Sequence, residues 1–304
     1  MHCAPFLLTM QIIFASVSYR RVVADLRLNK IKGHFVVHVR DVKLPYLLEI
    51  KEKDRFKNQV AIVTGGSGVI GRAISYRLAA EGAEVYICGT NKDRVNAVVS
   101  EIVNDGYKAK PLIFSVKNED EVIAAFSSVI KDSGKIDLLV CSAGGGAREK
   151  SSPLIEQSMN VIDSVLDINL RGGILCTKEA CRYMVKQKYG KILIISSTVG
   201  VCGMPSYSEY AAAKGGLIAF VKSIAMELGS QGIRINCITP GIVQRGTIDD
   251  RQLEWIKKTN WCGGYGKPED ISGMVAYLNS KEADFITGQN FIVDGGRSLG
   301  LKNN

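Results

Sequence analysis

Histidine is scarce. The 304-residue chain has three, His2, His34 and His38, and residues 39–304 have none. That excludes Ser-His-Asp hydrolysis, Cys-His proteolysis and a His-ligated catalytic zinc from most of the chain. Eight cysteines are too few for a disulfide scaffold, and no two are spaced Cys-x-x-Cys. They read as small buried apolar groups in a reducing compartment, which points to the cytoplasm. No apolar run reaches the ~18 residues of a membrane span. Acidic residues are also short, 30 against 39 Lys+Arg, for a net charge of +9. The excess is uneven: residues 1–55 carry ten basic and five acidic residues, and the remainder is close to balance. A body so nearly neutral is not a nucleic-acid binder.

What is present is a βα rhythm. From Gln59, short apolar runs at 60–64, 84–88, 110–114, 136–141, 191–196, 233–238 and 289–293 alternate with helix-period stretches at 71–81, 93–104, 119–131, 161–188 and 211–228. Continuously apolar strands are buried on both faces, which predicts a doubly wound, Rossmann-like α/β fold: one parallel sheet with helices on both sides. Length and the absence of a linker make residues 56–304 one catalytic domain, with residues 1–55 an extension of unassigned structure. Residues 4–17 lack the preceding basic residues of a signal peptide, and Arg20 and Arg21 follow them, the reverse of the usual polarity. A basic, acid-poor start leaves an organellar presequence open beside a loose arm or a start placed too far upstream. His34 and His38 could share a helix face, but no third ligand candidate is near, so no metal site is expected.

The first run ends in Thr64-Gly65-Gly66-Ser67-Gly68-Val69-Ile70-Gly71 and opens a helix. Gly66, Gly68 and Gly71 form G-x-G-x-x-G in the setting that a dinucleotide needs. Glycines let the backbone approach a pyrophosphate, and the helix start offers free N–H groups. A purely structural turn is the alternative. At the end of the second run, an acidic residue would bind the ribose hydroxyls of NAD. Thr90, Asn91, Lys92 and Arg94 stand there instead, and no carboxylate precedes Asp93. NADP(H) is therefore favoured over NAD(H).

Tyr210 and Lys214 are four apart on a helix, so phenol and ammonium share a face. A cation beside a phenol lowers its pKa towards working pH and makes Tyr210 a general acid/base for carbonyl–alcohol exchange. Ser197 falls at the carboxyl end of a buried strand, where open α/β sheets place their sites. Asn169 sits inside a long helical stretch, where asparagine is a poor helix former and needs a hydrogen-bonding reason.

In order and spacing, the glycine loop, Asn169, Ser197, Tyr210-x-x-x-Lys214, Pro240-Gly241, Pro268-Glu-Asp270 and Thr287-Gly-Gln…Val293-Asp-Gly-Gly296 resemble the short-chain dehydrogenase/reductase family, over roughly residues 56–300. The nearest likeness is to compact members, the 3-oxoacyl-acyl-carrier-protein reductases. The resemblance implies that Tyr210 exchanges a proton with the substrate oxygen. Lys214 lowers its pKa and holds the nicotinamide ribose, Ser197 hydrogen-bonds the substrate oxygen, and Asn169 fixes a relay water. It places Thr64, Gly65, Gly66, Ser67, Gly68, Ile70, Gly71, Thr90, Asn91, Lys92, Ser142, Ala143, Gly144, Tyr210, Lys214, Pro240, Gly241 and Val243 at the cofactor. Hydride passes directly between nicotinamide and carbon, with no metal or histidine.

Three positions depart from the family pattern: Val69 for a usual Gly, Cys141-Ser142 for Asn-Asn, and Ser115 for an Asp facing adenine. Residues 145–152 and 243–264 should meet the substrate, the latter as a lid carrying Trp255 and Trp261. The substrate is a small-molecule ketone or secondary alcohol. An acyl thioester on an acidic carrier protein would suit Arg148, Lys150 and Arg171. A sugar or polyol is the alternative, and a non-catalytic NAD(P)-binding redox sensor is the reading from another class. The resemblance also implies a homotetramer paired through the helices of Asn169 and Tyr210 and through the last strands.

Overall fold

The computed structural model describes residues 26–31, 34–39, 54–145 and 151–300. These lie in two compact units, one within Met1–Lys51 and one within Glu52–Asn304. In the first, β1 (Leu26–Ile31) and β2 (His34–Val39) pair antiparallel. His34 and His38 thus lie on a strand and not on a helix. Residues 1–25, which would hold a presequence, lie outside the described residues, as do Arg148 and Lys150.

In the second unit, β3 (Val60–Thr64), β4 (Glu84–Gly89), β5 (Ala109–Ile113), β6 (Leu138–Cys141), β7 (Gly190–Ile195), β8 (Ile233–Pro240) and β9 (Asn290–Val293) form one parallel sheet of order β5-β4-β3-β6-β7-β8-β9. Each expected strand is there, shifted by one or two residues at some ends. Strand parity divides the core. Ile62, Leu139, Ile192, Ile194 and Ile235 face one layer, and Ala61, Val63, Leu138, Val140, Leu193 and Ile238 face the other. Alternate side chains point to opposite faces, so a strand buried on both sides must be apolar throughout.

Helices α1 (Val69–Ala80), α2 (Lys92–Asn104), α3 (Glu119–Ser133), α4 (Met159–Leu166), α5 (Gly172–Gln187), α6 (Val199–Cys202), α7 (Ser208–Leu228), α8 (Asp250–Lys257) and α9 (Pro268–Asn279) complete the unit. Residues of α3, α5 and α7 pack on the first face, and those of α1, α2 and α9 on the second. The expected single helix over 161–188 is broken by a π turn, Asp167–Arg171, for a reason that belongs to the site. The segment 243–264 is not all loop. Val243 is buried and bridged to Gly266, and α8 follows behind an Asp249–Gln252 capping box. No helix among the described residues is long and apolar enough to cross a membrane.

The strand order reverses around β3, with β4 on one side and β6 on the other, so their carboxyl ends splay into a crevice. Phe126 of α3 is fully buried, edge-on to Phe114 with ring centroids 6.3 Å apart. Phe126→Ala should lower unfolding free energy by about 3–5 kcal/mol, read as a lower urea midpoint. An unchanged midpoint would contradict this packing.

Candidate active site

At the switch point a cleft of about 640 Å³ runs along the carboxyl ends of the strands. Its floor is the loop between β3 and α1. Gly65 has φ +65°, and a Cβ there would lie 2.8 Å from the backbone of Ala143, so only glycine lets the β3 and β6 loops close on each other. Thr64 Oγ1 accepts from the Ala143 N–H at 3.2 Å and joins the same two loops. Gly68 is the N-cap of α1 and supplies no side-chain cap, so the first-turn N–H groups of Val69, Ile70 and Gly71 face the cleft without an intrahelical acceptor. Val69 is the first helical residue and has no positive φ, so its backbone does not require a glycine.

At one end of the cleft, Asn91 caps α2, its Oδ1 accepting from the Arg94 N–H at 2.9 Å. Thr90, Asn91 and Arg94 line the wall there; Lys92, equally exposed, does not. Arg72, the residue after Gly71, forks onto Glu101 at 2.6 and 2.7 Å and ties α1 to α2. Ser142, Ala143 and Gly144 continue the wall towards Tyr210 and Lys214. Ser67 and Gly68 line it as well, whereas Gly66 packs behind the loop towards Ile87. Pro240 ends β8 and accepts from the Thr198 N–H, and Gly241 after it donates to the Val293 carbonyl; neither lines the cleft. Val243 lies in the core cluster.

Lys214 carries the strongest electrostatic signature. Its Nζ donates to the Ile195 carbonyl at 3.0 Å and lies 5.7 Å from the centre of the Tyr210 ring. The residue is 5% exposed. Burial pushes its pKa down to about 8, partly offset by the nearby thiols of Cys237 and Cys141. Asn169, 1% exposed, explains the π turn. Its Nδ2 donates to the Val165 carbonyl and to the Gly145 carbonyl, both at 3.0 Å, and its Oδ1 accepts from the Gly145 N–H at 3.1 Å. The side chain thus takes a helix acceptor and clamps the β6 loop. A Cβ on Gly144 would lie 2.7 Å from Asn169 Oδ1 and 3.3 Å from Lys214 Nζ, so the glycine lets both groups meet against the loop.

Ser197, half-buried just past β7, accepts from the Val199 N–H at 3.3 Å. The cleft wall itself is formed by its neighbour Ser196, whose Oγ donates to the Lys214 carbonyl at 2.9 Å. Ser196, Lys117 and Ile168 line the cleft without having been singled out from the sequence as site residues, and Arg245 lines it within the segment 243–264 expected to meet the substrate. For Ser196 the signal is adjacency to Ser197; for Lys117 and Ile168 there is none. Arg94, Lys117, Lys214 and Arg245 are the charged groups of the wall, and no Asp or Glu among the described residues lines it. No group of side chains able to hold a metal ion is present among the described residues.

This geometry agrees with known proteins. The profile of the Enoyl-(Acyl carrier protein) reductase family matches residues 66–298. The 3-oxoacyl-(acyl-carrier-protein) reductase FabG of Rickettsia bellii (strain RML369-C) is 37% identical over 241 residues, covering 78% of this chain and 96% of that protein. The 3-oxoacyl-(acyl-carrier-protein) reductase of Synechocystis sp. (strain PCC 6803) is 37% identical over 240 residues with the same coverage. The chain belongs to the short-chain dehydrogenase/reductase family. Among solved structures, a "putative gluconate dehydrogenase" from Agrobacterium tumefaciens superposes with a TM-score of 0.77 at 31% identity, covering 82% of this chain and 99% of that one. Membership makes the protein an oxidoreductase that acts on CH–OH or C=O groups with NAD(P)(H). The cleft fits that cofactor through a glycine cradle, free helix N–H groups for phosphate, and an all-cationic wall.

Lys214 has a measurable consequence in the cofactor-free protein. Its pKa is about 8 folded and about 10.5 unfolded, so between those values the unfolded chain holds the extra proton and folding stability rises with pH. Relative to Lys214→Met, wild-type stability should gain about 2 kcal/mol from pH 7 to pH 10 in urea titrations. A flat difference would mean that the ammonium is not desolvated.

Proposed function

We propose that the protein is an NADPH-dependent reductase converting a 3-oxoacyl thioester to the 3-hydroxy thioester, with residues 56–304 as its catalytic domain. One observation carries this reading: a single cleft joins a phosphate-binding helix start and an all-cationic wall to the Tyr210–Lys214 pair.

The bound cofactor supplies a hydride to the carbonyl carbon. Tyr210 gives its hydroxyl proton to the carbonyl oxygen, and Lys214 stabilises the phenolate left behind. Ser197 donates to the same oxygen as charge builds there. Asn169 contributes by holding Gly145, and with it the loop against which Lys214 is placed. In this scheme Thr64, Gly65, Gly66, Ser67, Gly68, Ile70 and Gly71 form the pyrophosphate cradle, and Ser142, Ala143 and Gly144 the wall beyond it. Pro240, Gly241 and Val243 support the nicotinamide end. Thr90, Asn91 and Arg94 serve a 2′-phosphate. Lys92, off the cleft wall, adds only general positive charge.

An acyl substrate is favoured by the segment before α4. Leu154 and Ile155 are 64% and 94% exposed, and Gln157 Nε2 reaches Glu209 Oε1 at 3.4 Å, one residue from Tyr210. Exposed aliphatic side chains beside a site suit a hydrocarbon chain better than a sugar. The likeness to a "putative gluconate dehydrogenase" supports the second reading, oxidation of a polyol or sugar acid. A carrier-bound substrate is supported by the names of the relatives. Arg171, proposed for docking, donates to the Lys117 carbonyl at 2.7 Å and so stands next to the cleft wall. A homotetramer and a cytoplasmic setting complete the proposal, the latter in keeping with the free buried thiols of Cys88, Cys141 and Cys176.

Purified protein should reduce acetoacetyl thioesters with NADPH, at a kcat/KM about tenfold or more above that with NADH. Dominant use of NADH would overturn the cofactor assignment, and turnover of sugars alone would favour the second reading. Tyr210→Phe should cut kcat roughly 10²–10⁴-fold while NADPH binding stays within a few-fold. Unchanged turnover would refute the acid/base role; NADPH binding with no carbonyl reduced would leave a redox sensor.

A further inference from the structure

Two glycines stand against helix propensity close to the reacting groups. Gly215 follows Lys214 inside the 21-residue α7, and Gly200 is the second residue of α6. Glycine is a poor helix former. Neither residue has a positive φ, so the backbone conformation does not call for glycine at either place.

A contact between the two helices does. A Cβ on Gly200 would lie 2.6 Å from the Lys214 carbonyl carbon and 2.7 Å from both the Gly215 N and Lys214 Cβ. Carbon atoms pack at about 3.5–4.0 Å, so α6 meets the backbone of α7 about 1 Å closer than a side chain at residue 200 permits. From the other side, a Cβ on Gly215 would lie 3.1 Å from the Gly200 carbonyl oxygen. What α6 carries is Ser197. The Gly200 N–H donates to the Ser197 carbonyl at 2.9 Å, and the Val199 N–H donates to Ser197 Oγ at 3.3 Å. Serine and glycine thus belong to one turn. Of the two helices, α7 is the fixed one. Leu217, Val221 and Ala225 bury it in the core, and Ser196 Oγ holds the Lys214 carbonyl. By contrast, α6 is four residues long and none of them is buried. A wedge between the helices therefore moves α6 and Ser197 and leaves Tyr210 and Lys214 in place.

We infer that Gly200 and Gly215 are positioning residues for the carbonyl reduction: their backbone contact sets the Ser197 hydroxyl so that it and Tyr210 meet the same substrate oxygen. The inference rests on the reaction proposed above, in which Ser197 donates to that oxygen. It adds two residues that touch neither substrate nor cofactor. Misplacing a reacting group by 1 Å can cost about 10²-fold in rate, which is the scale of the shift that a Cβ at residue 200 imposes.

The test uses the full chain: wild type, Gly200→Ala, Gly215→Ala, Ser197→Ala, and each glycine variant combined with Ser197→Ala. Gly273→Ala in α9, where an added Cβ meets nothing within 4 Å, is the control for a helix glycine without such a contact. NADPH affinity is measured by calorimetry, kcat and KM for acetoacetyl-coenzyme A by NADPH absorbance, and folding by the urea midpoint. Gly200→Ala should lower kcat about tenfold to a hundredfold, with NADPH affinity within about threefold of wild type. Gly215→Ala, which meets one carbonyl oxygen, should lower it less, and Gly273→Ala not at all. The deciding readout is the double-mutant cycle. If the glycines act through Ser197, neither substitution lowers kcat by more than about twofold once residue 197 is alanine. A merely structural glycine would repeat its full loss in that background, and that result would overturn the inference. So would kcat for both single variants within about twofold of wild type. Should Gly200→Ala not fold, Gly215→Ala decides by the same cycle. Wild type that reduces the thioester, with Ser197→Ala slower by about tenfold or more, keeps the functional reading intact whichever way the cycle falls. Wild type that reduces no carbonyl removes both.

Discussion

A lysine ammonium buried with a backbone carbonyl as its hydrogen-bond acceptor sets the terms for the rest of this structure. Charge in a low-dielectric setting is costly, and here the cost appears as a pKa pushed down to about 8. The surroundings keep Lys214 in place rather than relieve it. The Ile195 carbonyl at the end of β7 takes a proton of the ammonium. Ser196 donates to the main-chain carbonyl of the same lysine and sews α7 to the strand end. Gly144, without a Cβ, lets the ammonium lie against the β6 loop. Three elements therefore converge on one side chain, and the Tyr210 ring, one turn back on α7, takes its position from them.

The π turn follows from the same constraint. A continuous α-helix across residues 167–171 would pair the Val165 carbonyl with a main-chain N–H. In this fold the Asn169 side chain takes that carbonyl and reaches onward to both polar groups of Gly145. One extra residue in the turn is the geometric cost of aiming a helix side chain at a loop on another strand. Such bulges concentrate at functional sites because only there does the aim repay the lost regularity. The asparagine's contacts to Val165 and to both polar groups of Gly145 fix the loop that carries Gly144.

Much of this was legible beforehand, and the reason is local. β3 and β7 are apolar at nearly every position because both faces are covered, and that pattern survives without knowledge of the partners. The glycine loop was legible because only glycine satisfies the φ of Gly65 and its close approach to Ala143. Asn169 stood out as an unexplained polar residue in a helix. What the sequence hid depends on side-chain direction and long-range contact. Lys92 and Arg94 look alike as neighbouring cations, yet only Arg94 turns to the cleft, because Asn91 starts α2 there and helix periodicity separates the two. Arg245 carries no motif of its own, and only the fold brings it to the cleft wall. The antiparallel pair β1–β2 is not visible in the sequence because Leu26–Ile31 is interrupted by Arg27, Asn29 and Lys30 and His34–Val39 by His38, so neither shows the continuously apolar pattern of the buried sheet.

The charge of a ligand in the cleft bears on the state of Lys214. The domain as a whole is nearly neutral, but its cleft wall presents cations without acids. Burial lowers the pKa of Lys214, and Cys237 and Cys141 partly offset it. A polyanionic ligand would add to that offset, since each phosphate favours the charged ammonium and raises the pKa that burial has lowered. In the proposed reaction a bound cofactor would therefore favour the charged lysine beside the Tyr210 phenolate. Binding and acid/base readiness would then be one electrostatic event, to which the charge at the cleft matters more than the net charge of the chain.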